Sequence, residues 1–363
     1  MSEDIAFESH GNSEELVVFL HGLGGSRKAM EGVRKAIKAE KPNADIYCPN
    51  LEYGGPLGPF SRVPIEKIVD KLMTEMRQHW NKRQAPAASS GNSSRYTAIT
   101  LVGHSLGGVL VRKIAILAYG ETPGTPFEPA FAAFRQPSPL APAIKRIIML
   151  AGLSRGWTTS SAGNWLTTFL WGVLEIYGEM TAWITGTPYT VFAVRRGAPF
   201  LVQTRLQWLA LMMRSMRPRG WNPAISPSGR TQLDNLCQGC CPDFEFIQLL
   251  GTQDDAVSPE DMLDNDVEME NSNYFIVEVP NSTHSQIIKM EQPPTEDRAI
   301  DHPNIRDTRN LNWLFRQIDK RCVQRPWNGK TFPMPCRRSR NGASKKSSSS
   351  SMEFVTRDFG RKK

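Results

Sequence analysis

Six short apolar runs punctuate the chain: LVVFLHG (16–22), DIYCPNL (45–51), TAITLVGH (97–104), RIIMLAG (146–152), FEFIQLLG (244–251) and YFIVEVP (274–280). Their apolar residues are consecutive rather than alternating, and many are β-branched. Strands covered on both faces of a parallel sheet have this pattern. Residues 27–40 and 64–80 instead space their apolar positions by three and four, which predicts helices, and Pro64 suits a first helical turn. Alternating strands and helices predict an α/β fold: a mostly parallel six-stranded sheet with right-handed crossovers and helices on its faces.

Two intervals break the rhythm. Residues 81–95, NKRQAPAASSGNSSR, are polar and small, and predict a surface loop. Residues 155–238 are longer than a plain crossover and hold six of the nine tryptophans with eight arginines and no lysine. Within them, WLTTFLWGVLEIYGEMTAWITG is long enough to span a bilayer. Glu175 and Glu179 would each cost about 2.5–3.5 kcal/mol near the bilayer centre. A single span would also place the first four strands and the last two on opposite sides of the membrane, and a returning span would carry Arg195, Arg196 and Arg205. A helical cap over the sheet is therefore expected; helices that only extend the core are the alternative. The resulting layout is a first core segment (1–154), a helical cap or lid (155–238), a second core segment (239–320) and a C-terminal tail (321–363).

Charge changes the picture only at the tail. The formal charge is +8, but residues 321–363 carry twelve Lys/Arg against two Asp/Glu, leaving residues 1–320 at −2. The tail's Ser/Lys/Arg composition cannot build a core, so it is expected to be disordered, with an anionic surface as a candidate partner. No aromatic interleaving or recognition-helix pattern supports nucleic acid as a partner. The balance of 40% hydrophobic and 22% charged residues is that of a soluble globular protein. The start, MSEDIAFESHG, has neither a basic n-region nor an apolar h-region, so a cytoplasmic setting is expected, with peripheral membrane contact through cap or tail. Six cysteines (Cys48, Cys237, Cys240, Cys241, Cys322, Cys336) are then expected as thiols. CQGCC has C-x-x-C spacing but no second ligand pair follows, so neither a metal nor another cofactor is expected.

The chemistry starts at the third run. GHSLG, residues 103–107, has G-x-S-x-G spacing, ends the strand AITLV and opens the helix LGGVLVRKIAILAY. A serine on that tight turn is lifted out of the sheet's end, and a Cβ two residues to either side would collide. The helix that follows aims its first amides at the same point, so the Leu106 N–H is a candidate donor to a developing oxyanion. A second donor is expected from the turn after an earlier strand: VVFLHGLGGS offers the Leu23 N–H, with glycines that let backbone approach a ligand. GLGGSRK lacks the spacing of a phosphate-binding P-loop. After the fifth run, GTQDDAVSP presents Asp254 and Asp255, of which one can orient a base, Asp254 being favoured. After the sixth, VPNSTHS presents His284; His302 lies eighteen residues further on, before a proline. Ser105, Asp254 and His284 then follow one another in the chain order of a nucleophile-elbow hydrolase.

Together these segments resemble the α/β-hydrolase superfamily in its lipase and serine-esterase branch, over roughly residues 15–318. The resemblance implies a Ser-His-Asp triad acting through an acyl-enzyme on a carboxylic ester, with the 155–238 insertion as lid after the family's sixth strand. One departure from the family is expected: the first apolar run corresponds to the family's third strand, which gives a minimal sheet. The aromatic, arginine-bearing insertion points to a lipid or long-acyl ester. Acyl transfer, thioester cleavage and a non-catalytic binding role on the same scaffold are the competing expectations.

Overall fold

The computed structural model describes residues 6–84, 95–156, 189–215, 242–251, 254, 274–279, 282–289, 325–327 and 330–332. The six expected strands are present: β2 (Glu15–Leu20), β3 (Asp45–Tyr47), β4 (Ala98–His104), β5 (Ile144–Leu150), β6 (Glu245–Gly251) and β7 (Tyr274–Val279). They are preceded by a strand the hydrophobic pattern does not predict, β1 (Phe7–Glu8), whose two residues pair antiparallel with β3 at the sheet's edge. The sheet order is β1-β3-β2-β4-β5-β6-β7, and every pair other than β1·β3 is parallel.

Continuous hydrophobicity follows from cover on both faces. Val18, Leu20, Leu101, Ile147 and Phe246 face one apolar cluster, with α2 (Ile65–Gln84) and α3 (Leu106–Tyr119). Their neighbours Val17, Phe19, Val102, Ile148 and Ile247 face the other, with Met30, Val33 and Ile37 from α1 (Glu31–Glu40) and the turn before it, and with Ile287 and Ile288. Helix α3 is buried along its whole length. Helix α2 runs four residues past the predicted boundary, to Gln84, because polar contacts hold its last turn: Arg83 Nη2 donates to Asp45 Oδ2 (2.5 Å) and Gln84 Nε2 to the Tyr96 carbonyl (2.9 Å).

Of the 155–238 interval, residues 157–188 and 216–238, with the expected capping helices and five of the six tryptophans, lie outside the described residues. The described part extends the core. Helix α4 (Pro199–Ser215) lies on α3, and its Trp208 is fully buried, 5.0 Å from the Phe246 ring and beneath the Arg112 guanidinium at 5.2 Å. Within the insertion Gly156 lies against a later stretch: a Cβ on it would lie 2.6 Å from the Arg196 nitrogen. Among the described residues no helix is long and apolar enough to cross a membrane. In the tail, Arg325–Trp327 (β8) pairs antiparallel with Lys330–Phe332 (β9).

A buried polar cluster ties α4 to α3. Lys113 Nζ donates to Glu128 Oε1 and to Gln207 Oε1, each at 2.6 Å, while Gln207 Nε2 donates to Glu128 Oε2 (2.8 Å). Burial pushes the Lys113 amine down from its ordinary range, and the Glu128 carboxylate opposes that shift. Removing one partner strands the other in apolar surroundings. Glu128→Leu is therefore expected to destabilise the protein by about 3–5 kcal/mol, and the Lys113→Met/Glu128→Leu double variant to recover most of the loss. Urea denaturation of the three proteins checks this; an additive double variant would contradict it.

Candidate active site

The sheet order fixes where a ligand can bind. The chain winds from β2 outward to β3, then crosses back to β4 on the other side of β2, so the switch point lies between the carboxyl ends of β2 and β4. At such a point the connections diverge and leave a crevice above the strands. Leu20 pairs in register with Gly103, so the His21-Gly22 turn and the His104-Ser105 elbow leave the sheet side by side.

Ser105 holds φ 52° and ψ −118°, a conformation costly for a residue with a side chain. The surroundings impose it. Its N–H donates to the Leu150 carbonyl (3.0 Å), and its own carbonyl accepts the Gly108 N–H (2.9 Å) that opens α3. Space for the turn comes from absent side chains: a Cβ on Gly103 would lie 2.3 Å from the Gly107 carbonyl oxygen, and one on Gly107 would lie 2.1 Å from that of Leu20. The G-x-S-x-G spacing thus has a steric cause here. A Cβ on Gly22 would lie 2.9 Å from Ser105 Cβ, which places the first turn directly against the serine.

The first turn is rigidly braced. Leu51 N–H donates to His21 Nε2 (3.1 Å), so the proton of this neutral imidazole sits on Nδ1, which donates to the Gly22 carbonyl (2.9 Å). Burial lowers the His21 pKa and keeps that tautomer available. Tyr53 donates to the His21 carbonyl (2.8 Å), and its complete burial raises its pKa well above the ordinary range, so it stays a donor. Gly24 N–H reaches the Tyr53 carbonyl (3.0 Å), Gly55 N–H the Gly25 carbonyl (2.9 Å). Among the described residues, no carbonyl takes the backbone N–H of Leu23 or of Leu106. Leu106 is the first residue of α3, where backbone amides have no intrahelical partner.

Asp254 and His284 come together at the ends of β6 and β7. His284 Nδ1 donates to Asp254 Oδ2 (2.9 Å) and Oδ1 (3.1 Å), and the carboxylate side chain is 1% exposed. That bond puts the ring proton on Nδ1 and leaves Nε2 the basic nitrogen. The loop is set by close backbone contact: a Cβ on Gly251 would lie 2.3 Å from the Ser282 carbonyl oxygen, while Ile287 and Ile288 are buried. Asp255 and His302 lie outside the described residues. Among the described residues the Ser105 hydroxyl has no hydrogen-bond partner, so the structure pairs Asp254 with His284 and does not bond either to the serine; the residue beside the serine touches the histidine's main chain, where His104 Nε2 donates to the His284 carbonyl (2.9 Å). The roles of His21, His104 and Tyr53 have no counterpart in the sequence reading, because no spacing rule tells which side of a turn a histidine or tyrosine faces. No group of three or more His, Cys, Asp or Glu suited to a metal ion occurs among the described residues, and Cys48 is a buried thiol.

A sequence profile described as the alpha/beta hydrolase family matches residues 17–296. Among curated proteins, no sequence relative matches. Solved structures similar to the chain include a soluble variant of monoglyceride lipase from Saccharomyces cerevisiae (12% identity, 85% of this chain and 89% of that one, TM-score 0.46). A siderophore hydrolase, EstB, from Aspergillus fumigatus is 14% identical over 85% of this chain and 92% of that one (TM-score 0.45). A monoacylglycerol lipase from Paleococcus ferrophilus is 14% identical over 85% and 98% (TM-score 0.40).

Proposed function

Because the chain belongs to the alpha/beta hydrolase family, matched over residues 17–296, we propose that it is a serine hydrolase cleaving a carboxylic ester, with a lipid or long-acyl ester as substrate. The observation that carries this reading is the strained Ser105 at the switch point, with the Asp254–His284 pair joined to its neighbour. Ser105 Oγ attacks the carbonyl carbon as His284 Nε2 takes its proton. The N–H groups of Leu23 and Leu106 receive the oxyanion, and Asp254 stabilises the imidazolium. His284 returns the proton to the departing alkoxide. Water, deprotonated by the same nitrogen, then releases the acid and restores the serine.

The acyl preference is supported by apolar surface beside the braced turn. Leu57 is 79% exposed and Phe60 41% exposed, on a segment that packs against Gly24 through Pro59. Large apolar side chains held in water mark a surface suited to an apolar ligand or aggregate. A described part of the insertion docks on the same segment, where Thr190 N–H donates to the Ser61 carbonyl (2.9 Å). A series of p-nitrophenyl esters from acetyl to decanoyl tests the proposal. kcat/KM should rise along the series, by about tenfold or more for each step that gains a pocket contact. A steady fall from acetyl onward would contradict the lipid substrate, and hydrolysis confined to thioesters would contradict the ester.

A further inference from the structure

His104, the residue between Gly103 and Ser105, has no part in the chemistry above, yet it is buried and lies in the same corner. Its ring centroid is 5.0 Å from that of His284, and its Nε2 is 2.9 Å from the His284 carbonyl oxygen. A carbonyl oxygen only accepts, so the His104 proton resides on Nε2. The opposite edge of the ring meets the first turn: a Cβ on Gly22 would lie 2.9 Å from His104 Nδ1. One imidazole is therefore wedged between the oxyanion turn and the main chain of the general base.

We propose that His104 is a positioning residue, whose Nε2–H fixes the backbone from which the His284 imidazole reaches Ser105. The inference rests on the reading of Ser105 and His284 as nucleophile and base. Asp254 holds the His284 ring through Nδ1, and that bond by itself does not oppose rocking of the ring about it. A second hydrogen bond, to the carbonyl of the same residue, restricts the motion from the main-chain side. Reach of this kind matters because displacement of a reacting group by about 1 Å can cost about 10²-fold in rate. The strut also survives changes of pH. Burial, then the nearby His284 imidazole, lowers the His104 pKa to about 3; the groups facing it are His284, Asp254 and His21, of which the His284 carbonyl and the Asp254 carboxylate favour its protonation.

The test uses His104→Leu, His104→Gln and His104→Asn in the full chain, with Ser105→Ala and His284→Ala alongside. The glutamine amide nitrogen can occupy the place of Nε2; the shorter asparagine amide cannot. Leu and Asn variants should lose about tenfold in kcat and in the rate of phosphonylation by a fluorophosphonate, with KM unchanged, and Gln should recover most of both. If Leu fails to fold, the contrast between Gln and Asn carries the same information. Wild-type turnover in the Leu variant, or equal losses in Gln and Asn, would overturn the positioning role while inactive Ser105→Ala and His284→Ala leave the triad standing. Activity retained by Ser105→Ala would instead remove the reading on which this inference rests.

Discussion

Ser105→Ala is expected to lower ester turnover by at least about 10⁴-fold while leaving the protein folded, because the variant keeps the oxyanion donors and loses the only atom that bonds to the acyl group. The fold should tolerate it well. Ser105 lies at φ 52° because of the strand before it and the helix after it, and alanine, like serine, carries one Cβ, so the backbone strain is unchanged. The hydroxyl makes no hydrogen bond among the described residues, so none of those bonds is lost. Steady-state hydrolysis of a p-nitrophenyl ester, paired with a thermal melt, separates the two effects. A variant that melts like the parent and turns over like it would assign the reaction to other residues.

Asp254→Asn is expected to cost about 10⁴-fold in kcat. The asparagine amide can donate to His284 Nδ1, where the carboxylate now accepts at 2.9 Å. That exchange places the ring proton on Nε2, the nitrogen that must be unprotonated to activate Ser105. It also removes the charge that balances an imidazolium in a corner where the Asp254 side chain is only 1% exposed, and uncompensated charge is costly there. Asp255→Asn, measured beside it, should change kcat little. Loss of activity in Asp255→Asn with retention in Asp254→Asn would move the orienting role one residue along.

The six main strands were legible because a strand covered on both faces has no polar alternation to confuse it with anything exposed, and the two separate apolar clusters show that double cover. β1 was not legible: two residues, Phe7 and Glu8, carry no periodicity, and their pairing depends on the edge that β3 leaves open. The last turn of α2 was hidden for a different reason. Asn81 to Gln84 looks like loop composition, and partners distant in sequence, the Gly11 carbonyl, Asp45 and Tyr96, hold Arg83 and Gln84 helical. Helix α4 shows the limit of composition most clearly. Tryptophan suits a wet aromatic surface and a packed core alike, and Trp208, buried beneath Arg112 of α3 and beside Phe246, is the second.

Within the site, the spacing of Gly103, Ser105 and Gly107 was legible because it is steric, set by backbone carbonyls within 2.3 Å of any added Cβ. Asp254 and His284 follow only from chain order, and their contact arises because β6 and β7 are parallel neighbours whose ends open on the same side. His104 and His21 stand inside the motifs in sequence, but their inward direction is a property of the folded turns.

The proposed reaction depends on one oxygen, that of Ser105, being the nucleophile. Incubation of the full chain with a fluorophosphonate, followed by digestion and mass spectrometry, tests that claim without knowledge of the substrate. The expected result is one adduct on Ser105, formed by the native protein, absent from Ser105→Ala and strongly slowed in His284→Ala. An adduct on a different residue, or equal labelling of the native protein and Ser105→Ala, would contradict it.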